Sequence, residues 1–171
     1  MKIKFLIVFA ILFLNHDSWA QYDLIRPEMQ RKVAEASVKL KVLDCHSLDP
    51  LSLNALVLWS QDKSQLAVIM KINLLPGWHI YSFVPKTQPY IPTELLLELP
   101  KGIYKIGDWI KPMDEAYNDG VYIYHGVQTF VHYLKVTNSN YSNELTCGIY
   151  YQTCDLNKCY PPNEKLIKLK L

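Results

Sequence analysis

The chain has 171 residues, and Lys+Arg 18 nearly balance Asp+Glu 16, so there is neither a basic stripe for nucleic acid nor an acidic tail. Hydrophobic residues make up 50% of it and 12 are tyrosines, which suits one compact β-rich domain with aromatic surface patches.

Lys2 and Lys4 precede an unbroken apolar run from Phe5 to Leu14, and Ser18-Trp19-Ala20 gives a small-x-small cleavage pattern. This predicts a secretory signal over residues 1–20, with the mature chain beginning at Gln21. The run is shorter than the roughly 20 residues that span a bilayer, so the expected product is exported and soluble rather than anchored. About 150 residues then remain, the size of a single domain with its own core. Residues 21–37 read as an N-terminal arm, with Glu28 to Ala36 either a short helical turn or part of that arm.

From Val38 the pattern turns to period two: Val38, Leu40 and Val42 alternate with lysines, as in a half-buried strand. The expected domain therefore covers 38–171. Asp44 to Asn54 reads as a loop, Ala55 to Ser60 as a short strand and Gln61 to Ser64 as a polar turn. The longest strand is expected over Gln65 to Leu74, with Leu66, Val68, Met70, Ile72 and Leu74 on one face. Pro76-Gly77 ends it as a turn, and Trp78 to Tyr81 opens a new extended piece. Pro85, Pro89 and Pro92 exclude a helix there and suit an edge or a long connection.

Thr93 to Leu99 is extended again and Lys101-Gly102 a turn, whereas Ile103 to Tyr117 has no clean period and is expected to be an ordered loop. Asn118-Asp119-Gly120 is a turn, followed by strands over Val121 to Tyr124 and Thr129 to Val136, with Thr137 to Ser142 a polar loop. Strands over Glu144 to Gln152 and Glu164 to Leu171 close the chain. Short strands at regular spacing, with turn signals between them, predict an all-β immunoglobulin-like antiparallel sandwich.

The chemistry concentrates in Cys154-Asp155-Leu156-Asn157-Lys158-Cys159, whose polar insert lets a tight loop bring the two cysteines into disulfide range. If the chain is exported, such a bond can persist. Spacing alone leaves open a local staple and an exchangeable redox pair, with a zinc site weaker because no second cysteine pair follows. Cys147 is expected as a buried thiol, and a Cys45–Cys147 disulfide is a further hypothesis.

Three segments carry a family resemblance: Tyr151-Gln152-Thr153-Cys154 through Cys159-Tyr160-Pro161-Pro162, Pro76-Gly77-Trp78-His79-Ile80-Tyr81, and Leu99-Pro100-Lys101-Gly102 leading to Asp114-Glu115. They resemble the N-terminal periplasmic domain of the thiol:disulfide interchange protein DsbD, over roughly Val38 to Leu171. The resemblance implies a periplasmic thiol-disulfide oxidoreductase of the protein-disulfide reductase type, working without a cofactor or metal. Cys159 would form the mixed disulfide with partners and Cys154 would resolve it. Cys159 should then be the more reachable of the two, with its pKa lowered if Lys158 or a strand-end amide is near.

His79, Tyr81 and Tyr160 would line the cysteine pair, and Asp114, Glu115 and Tyr117 would form a cap loop over it. A solvated or merely packing role is the plain alternative for His79, Trp78 and Tyr81, and a charged surface turn for the cap loop. The cysteine spacing is one residue shorter than in the family's best-known members, so the turn differs. Neither a polytopic membrane segment nor a Cys-x-x-Cys domain is expected to accompany the sandwich. The expected partners are therefore a separate membrane electron donor and thioredoxin-like or disulfide-isomerase proteins of the periplasm, met by a monomer. The rivals are a non-catalytic immunoglobulin-like binding module with a structural disulfide, and a metal site built from the cysteines with His79 or His132.

Overall fold

The computed structural model describes residues 25–137 and 143–171. The expected export signal over 1–20, and residues 138–142 of the expected polar loop, lie outside the described residues. Among the described residues, no helix is long and apolar enough to cross a membrane.

Strand β1 (Leu51–Trp59) pairs with β2 (Gln65–Leu74) through a tight turn, and β2 lies between β1 and β8 (Val127–Val136). The sheet ends at β5 (Ile103–Ile110), giving the order β1-β2-β8-β5. A second sheet of β11 (Asn163–Lys170), β9 (Glu144–Tyr151) and β4 (Glu94–Glu98) faces it. Between the two lies the main core, where Leu66, Val68, Met70, Ile72 and Leu74 of β2 meet Leu145, Cys147 and Ile149 of β9. The strand pairings are antiparallel, and the architecture is the immunoglobulin-like β-sandwich expected from the sequence.

Two expectations are corrected. Of the two readings of Glu28 to Ala36, the helical one holds: these residues lie in a helix, α1 (Pro27–Lys39), which runs past the expected boundary and replaces the start of the strand expected from Val38. Pro27 in its first turn, Glu28 near its N-terminus and Lys39 near its C-terminus suit the ends of a helix dipole. Met29 (0% exposed) and Val33 pack on Ala67, Ile69, Val131 and Tyr133, the outer face of β2 and β8. Burying an apolar face this way supplies most of the stability of a short helix. Beyond it, Leu40 to Leu43 makes no backbone ladder. Asn54 and Ser52 of β1 donate side-chain hydrogen bonds to the carbonyls of Lys41 (2.8 Å) and Leu43 (2.6 Å) instead. The alternation at Val38 is therefore coincidental, and Val38 itself is exposed.

The second correction concerns Ile103 to Tyr117. Strand β5 occupies its first half, with a register shift between Ile106 and Ile110. Gly107 (φ 63°) lies in that bulge. Ile103 is buried in the main core and Ile106 on the opposite face beside Met29 and Val33, so no single face carries a period.

A third sheet stands at one end of the sandwich: β10 (Thr153–Cys154), β3 (His79–Phe83), β7 (Tyr122–His125) and β6 (Glu115–Ala116), in that order. Ile80 and Tyr124 point from it into the main core. Tyr81, Val121, Ile123 and Cys154 form a separate cluster on its other face.

Replacing Met29 with Ala should remove the helix's central anchor and lower unfolding free energy by about 2–5 kcal/mol. A urea titration read by circular dichroism would show this as a lower midpoint at unchanged slope.

Candidate functional site

The cysteine turn is a β-hairpin reduced to its end. Strand β9 runs into β10, whose Thr153 and Cys154 pair with Ile80 and His79 of β3. Tyr160 donates its backbone N–H to Thr153 (2.9 Å), and Asp155 donates its own to Lys158 (2.9 Å). Those bonds flank Cys154 and Cys159, making them a non-hydrogen-bonded cross-strand pair, the closest kind in an antiparallel ladder. Their Cα atoms are 4.0 Å apart and the two are joined as a disulfide. The Asp155 carboxylate caps the turn, accepting the N–H groups of Asn157 (2.7 Å) and Lys158 (2.8 Å). These bonds hold its pKa below the usual carboxylate range.

The two sulfurs sit in different surroundings. Cys154 is 1% exposed, packed with Tyr81 and Ile123, whereas Cys159 lies on the exposed side of the turn. Leu156 at the tip is 87% exposed. A cavity of about 290 Å³ is lined by both cysteines, His79, Tyr81, Tyr90, Tyr117 and the turn residues 155–158. A larger cavity, about 670 Å³, lies beside Trp78, Ile123 and Gly126 and touches neither cysteine. The reactive sulfurs mark the smaller one as the chemical site.

The Tyr81 hydroxyl is 3.9 Å from Cys159 Sγ, and its ring stacks on Tyr90 at 4.6 Å. Burial, reinforced by Tyr90 and Tyr117, pushes the Tyr81 pKa up, so it stays a neutral phenol. His79 lies edge-on to Tyr81 (5.2 Å) and tilted against Tyr117 (5.1 Å). Its Nε2 is buried without a hydrogen-bond partner. Burial lowers its pKa, His125 adds to that, and Asp155 opposes it.

Tyr117 reaches the cavity from a strap. Strand β6 pairs with β7, and the Tyr117 N–H binds the Val121 carbonyl at 2.7 Å. Asp114 and Glu115 do not face the sulfurs. Asp114 accepts the Ser82 hydroxyl (2.6 Å), and a Glu115 carboxylate oxygen lies 2.9 Å from His125 Nε2; both contacts tie the strap down. Tyr160 also turns away: it stacks on Trp78 (5.0 Å), donates to the Ser47 carbonyl (2.8 Å) and accepts from the Lys158 ammonium (3.2 Å). Lys158 is thus engaged with this aromatic brace, its Nζ 5.0 Å above the Tyr160 ring.

Cys45 and Cys147 are free thiols, so the hypothesised disulfide between them is not formed. Cys147 is buried in the main core, and burial pushes its pKa up to about 12. The metal set using His132 is not assembled either: His132 lies on β8 with its ring against Trp109 and Nδ1 2.9 Å from the Tyr133 carbonyl. Among the described residues there is no cluster of three or more metal-ligating side chains. Tyr90 and Asp155 were missed at the sequence level. Tyr90 sits between Pro89 and Pro92, a spacing that spoke only for a connection; Asp155, placed to cap a short turn, was the more legible of the two.

Two histidines set an acid-side stability window. Burial lowers the pKa of both His79 and His132. Below the ordinary value of about 6.5 the unfolded chain binds protons that the folded chain resists. Folding stability should therefore fall as pH drops from about 6.5 toward the depressed folded values. The turn carboxylate of Asp155 acts in a separate, lower window, its contribution being lost as pH falls below the usual Asp value of about 3.9. Denaturant midpoints from pH 4.5 to 8 test this: His79→Gln and His132→Gln should each flatten the upper window, and an unchanged slope in both would contradict it.

Residues 50–171 match the family described as thiol:disulfide interchange protein DsbD, N-terminal. No curated protein matches the chain. Among solved structures it is similar to the N-terminal periplasmic domain of ScsB from Proteus mirabilis, at 20% identity and TM-score 0.53, covering 75% of this chain and 49% of that one. The chain thus spans about half the length of that relative. It is also similar to the reduced DsbD N-terminal domain of Neisseria meningitidis, at 14% identity and TM-score 0.36, over 68% of this chain and 83% of that one. A third similar structure, from a complex of the DsbD and PilB N-terminal domains of Neisseria meningitidis, shows 12% identity and TM-score 0.41, with 68% and 80% covered.

Proposed function

The chain belongs to the thiol:disulfide interchange protein DsbD N-terminal family, and we propose from that premise that it relays reducing equivalents through Cys154 and Cys159. The observation that carries the reading is the asymmetry of the pair: a disulfide with one exposed and one buried sulfur, held on a short hydrogen-bonded turn. Cys159 is the sulfur a partner reaches, and it forms the mixed disulfide. Cys154 then attacks Cys159, restoring the internal bond and releasing the partner as a thiolate. The chain acts in this reading as a protein-disulfide reductase, with no cofactor of its own.

Tyr81, Tyr90 and Tyr117 wall the cavity, and Leu156 offers an apolar contact at the turn's tip. The partners in this proposal are a separate membrane electron donor and thioredoxin-like or disulfide-isomerase proteins. We place the protein in the periplasm as a monomer, after removal of residues 1–20. The proposed domain is the sandwich with α1 docked on it, so it starts before Val38.

Glutathione redox titration with alkylation and mass mapping tests the reading. Cys154 and Cys159 should switch together between roughly −120 and −270 mV, the span of known exchange proteins. Cys154→Ser should leave Cys159 able to hold a partner covalently, and Cys159→Ser should not. A pair that stays oxidised well below about −300 mV is a structural staple, and the binding-module reading then replaces this one.

A further inference from the structure

We propose that His79 is the proton acceptor for the Cys154 thiol when Cys154 resolves the mixed disulfide, an inference that rests on the exchange reading above. His79 and Cys154 are direct partners in the β3–β10 ladder. Directly opposed residues in an antiparallel pair share a face, with Cβ atoms about 4.5–5.5 Å apart. Both side chains line the same cavity. Cys154 is 1% exposed and His79 6%, and Nε2 has no hydrogen-bond partner. A thiol so buried has little water to receive its proton, and it must lose that proton before it attacks.

The other ionisable groups around the cavity are poor acceptors. Tyr81 carries a phenol whose pKa burial pushes upward. Tyr90 and Tyr117 are also phenols, whose hydroxyls already carry a proton to donate. The Asp155 carboxylate already accepts two backbone N–H groups and is correspondingly weak as a base. Lys158 is an ammonium bound to the Tyr160 hydroxyl. His125, on the neighbouring strand, stands against Glu115. His79 remains, kept neutral by burial and with Asp155 favouring the imidazolium once formed.

The step balances as follows. In the mixed disulfide, Cys159 Sγ is bonded to a partner sulfur. Nε2 takes the Cys154 proton, the Cys154 thiolate attacks Cys159 Sγ, and the partner sulfur departs as a thiolate with the bonding electron pair. The Cys154–Cys159 bond forms, the partner gains two electrons, and the imidazolium later returns its proton to solvent or to the departing thiolate. In the reverse direction the imidazolium protonates Cys154 as it leaves.

The test uses a Cys45→Ser chain, reduced and mixed with 5,5′-dithiobis(2-nitrobenzoate) in a stopped-flow instrument. Attack by Cys159 releases the first nitrothiophenolate, and resolution by Cys154 releases the second. The second-phase rate should be flat at and above about pH 6.5 and fall only at lower pH, where the His79 imidazole, its pKa lowered by burial, becomes protonated. His79→Gln should keep the first phase, lose the plateau and slow the second phase about 100-fold at pH 7. Identical second-phase profiles in the two proteins overturn the proposal. A reduced chain with no Cys159 first phase overturns the exchange reading, and this inference with it. Independently of any substitution, the His79 ring proton should titrate at different pH in the oxidised and reduced chains by NMR. Coincident curves also overturn the proposal.

Discussion

Burial of β2 on both faces is the constraint from which the rest of the structure follows. One face packs into the sandwich core through Leu66, Val68, Met70 and Ile72, and the other lies under α1 through Ala67 and Ile69. A strand held this way cannot slip by one residue without turning every side chain to the wrong face. Its end at Leu74 is therefore fixed, and so is the turn at Pro76-Gly77, where Gly77 takes φ +85° without strain. That turn launches β3 into the third sheet, setting His79 and Tyr81 on one face and Ile80 on the core face. Strand β9, anchored in the opposite sheet, delivers β10 to the same place. The two cysteines owe their surroundings to elements fixed elsewhere.

Difference in burial gives the cysteine pair its division of labour. A thiol in apolar surroundings resists ionisation, and one near the surface does not suffer that penalty. Cys154 belongs to the cluster of Tyr81, Val121 and Ile123, so its thiolate is costly; Cys159 stands outside that cluster. The strap reinforces the contrast. Its carboxylates, Asp114 and Glu115, act on Ser82 and His125, and what they present to the cavity is the Tyr117 ring. The acidic pair thus serves the site as fastenings, with the aromatic ring as the covering surface.

Much of this was legible in the sequence where local pattern and tertiary context agree. Gln65–Leu74 was readable to the residue because its alternating face is also its core face. The cysteine turn was readable because a short polar insert between cysteines has few conformations open to it. Legibility failed where a long-range partner decides. Val38 to Leu43 alternates like a strand, but the ladder position beside β1 is taken by side-chain bonds from Ser52 and Asn54. In β5 the buried Ile103 and Ile106 face opposite cores, so no single-face period announced a strand. Tyr90 reaches the site only because the connection folds back and Gln152 accepts the Ile91 N–H at 3.2 Å, a contact across 61 positions.

The disulfide contributes little to holding the turn, and that is what allows it to cycle. By the chain-entropy account, closing so short a loop stabilises the chain by only about 2 kcal/mol. The same turn is held by the Tyr160–Thr153 and Asp155–Lys158 backbone bonds, by the Asp155 cap and by the Tyr160–Trp78 stack. None of these contacts uses sulfur. Opening the bond therefore need not unfold its surroundings, and the dithiol can stay aligned for reclosure. A disulfide that carried the fold would need those contacts to be absent, and its reduction would cost the chain its site.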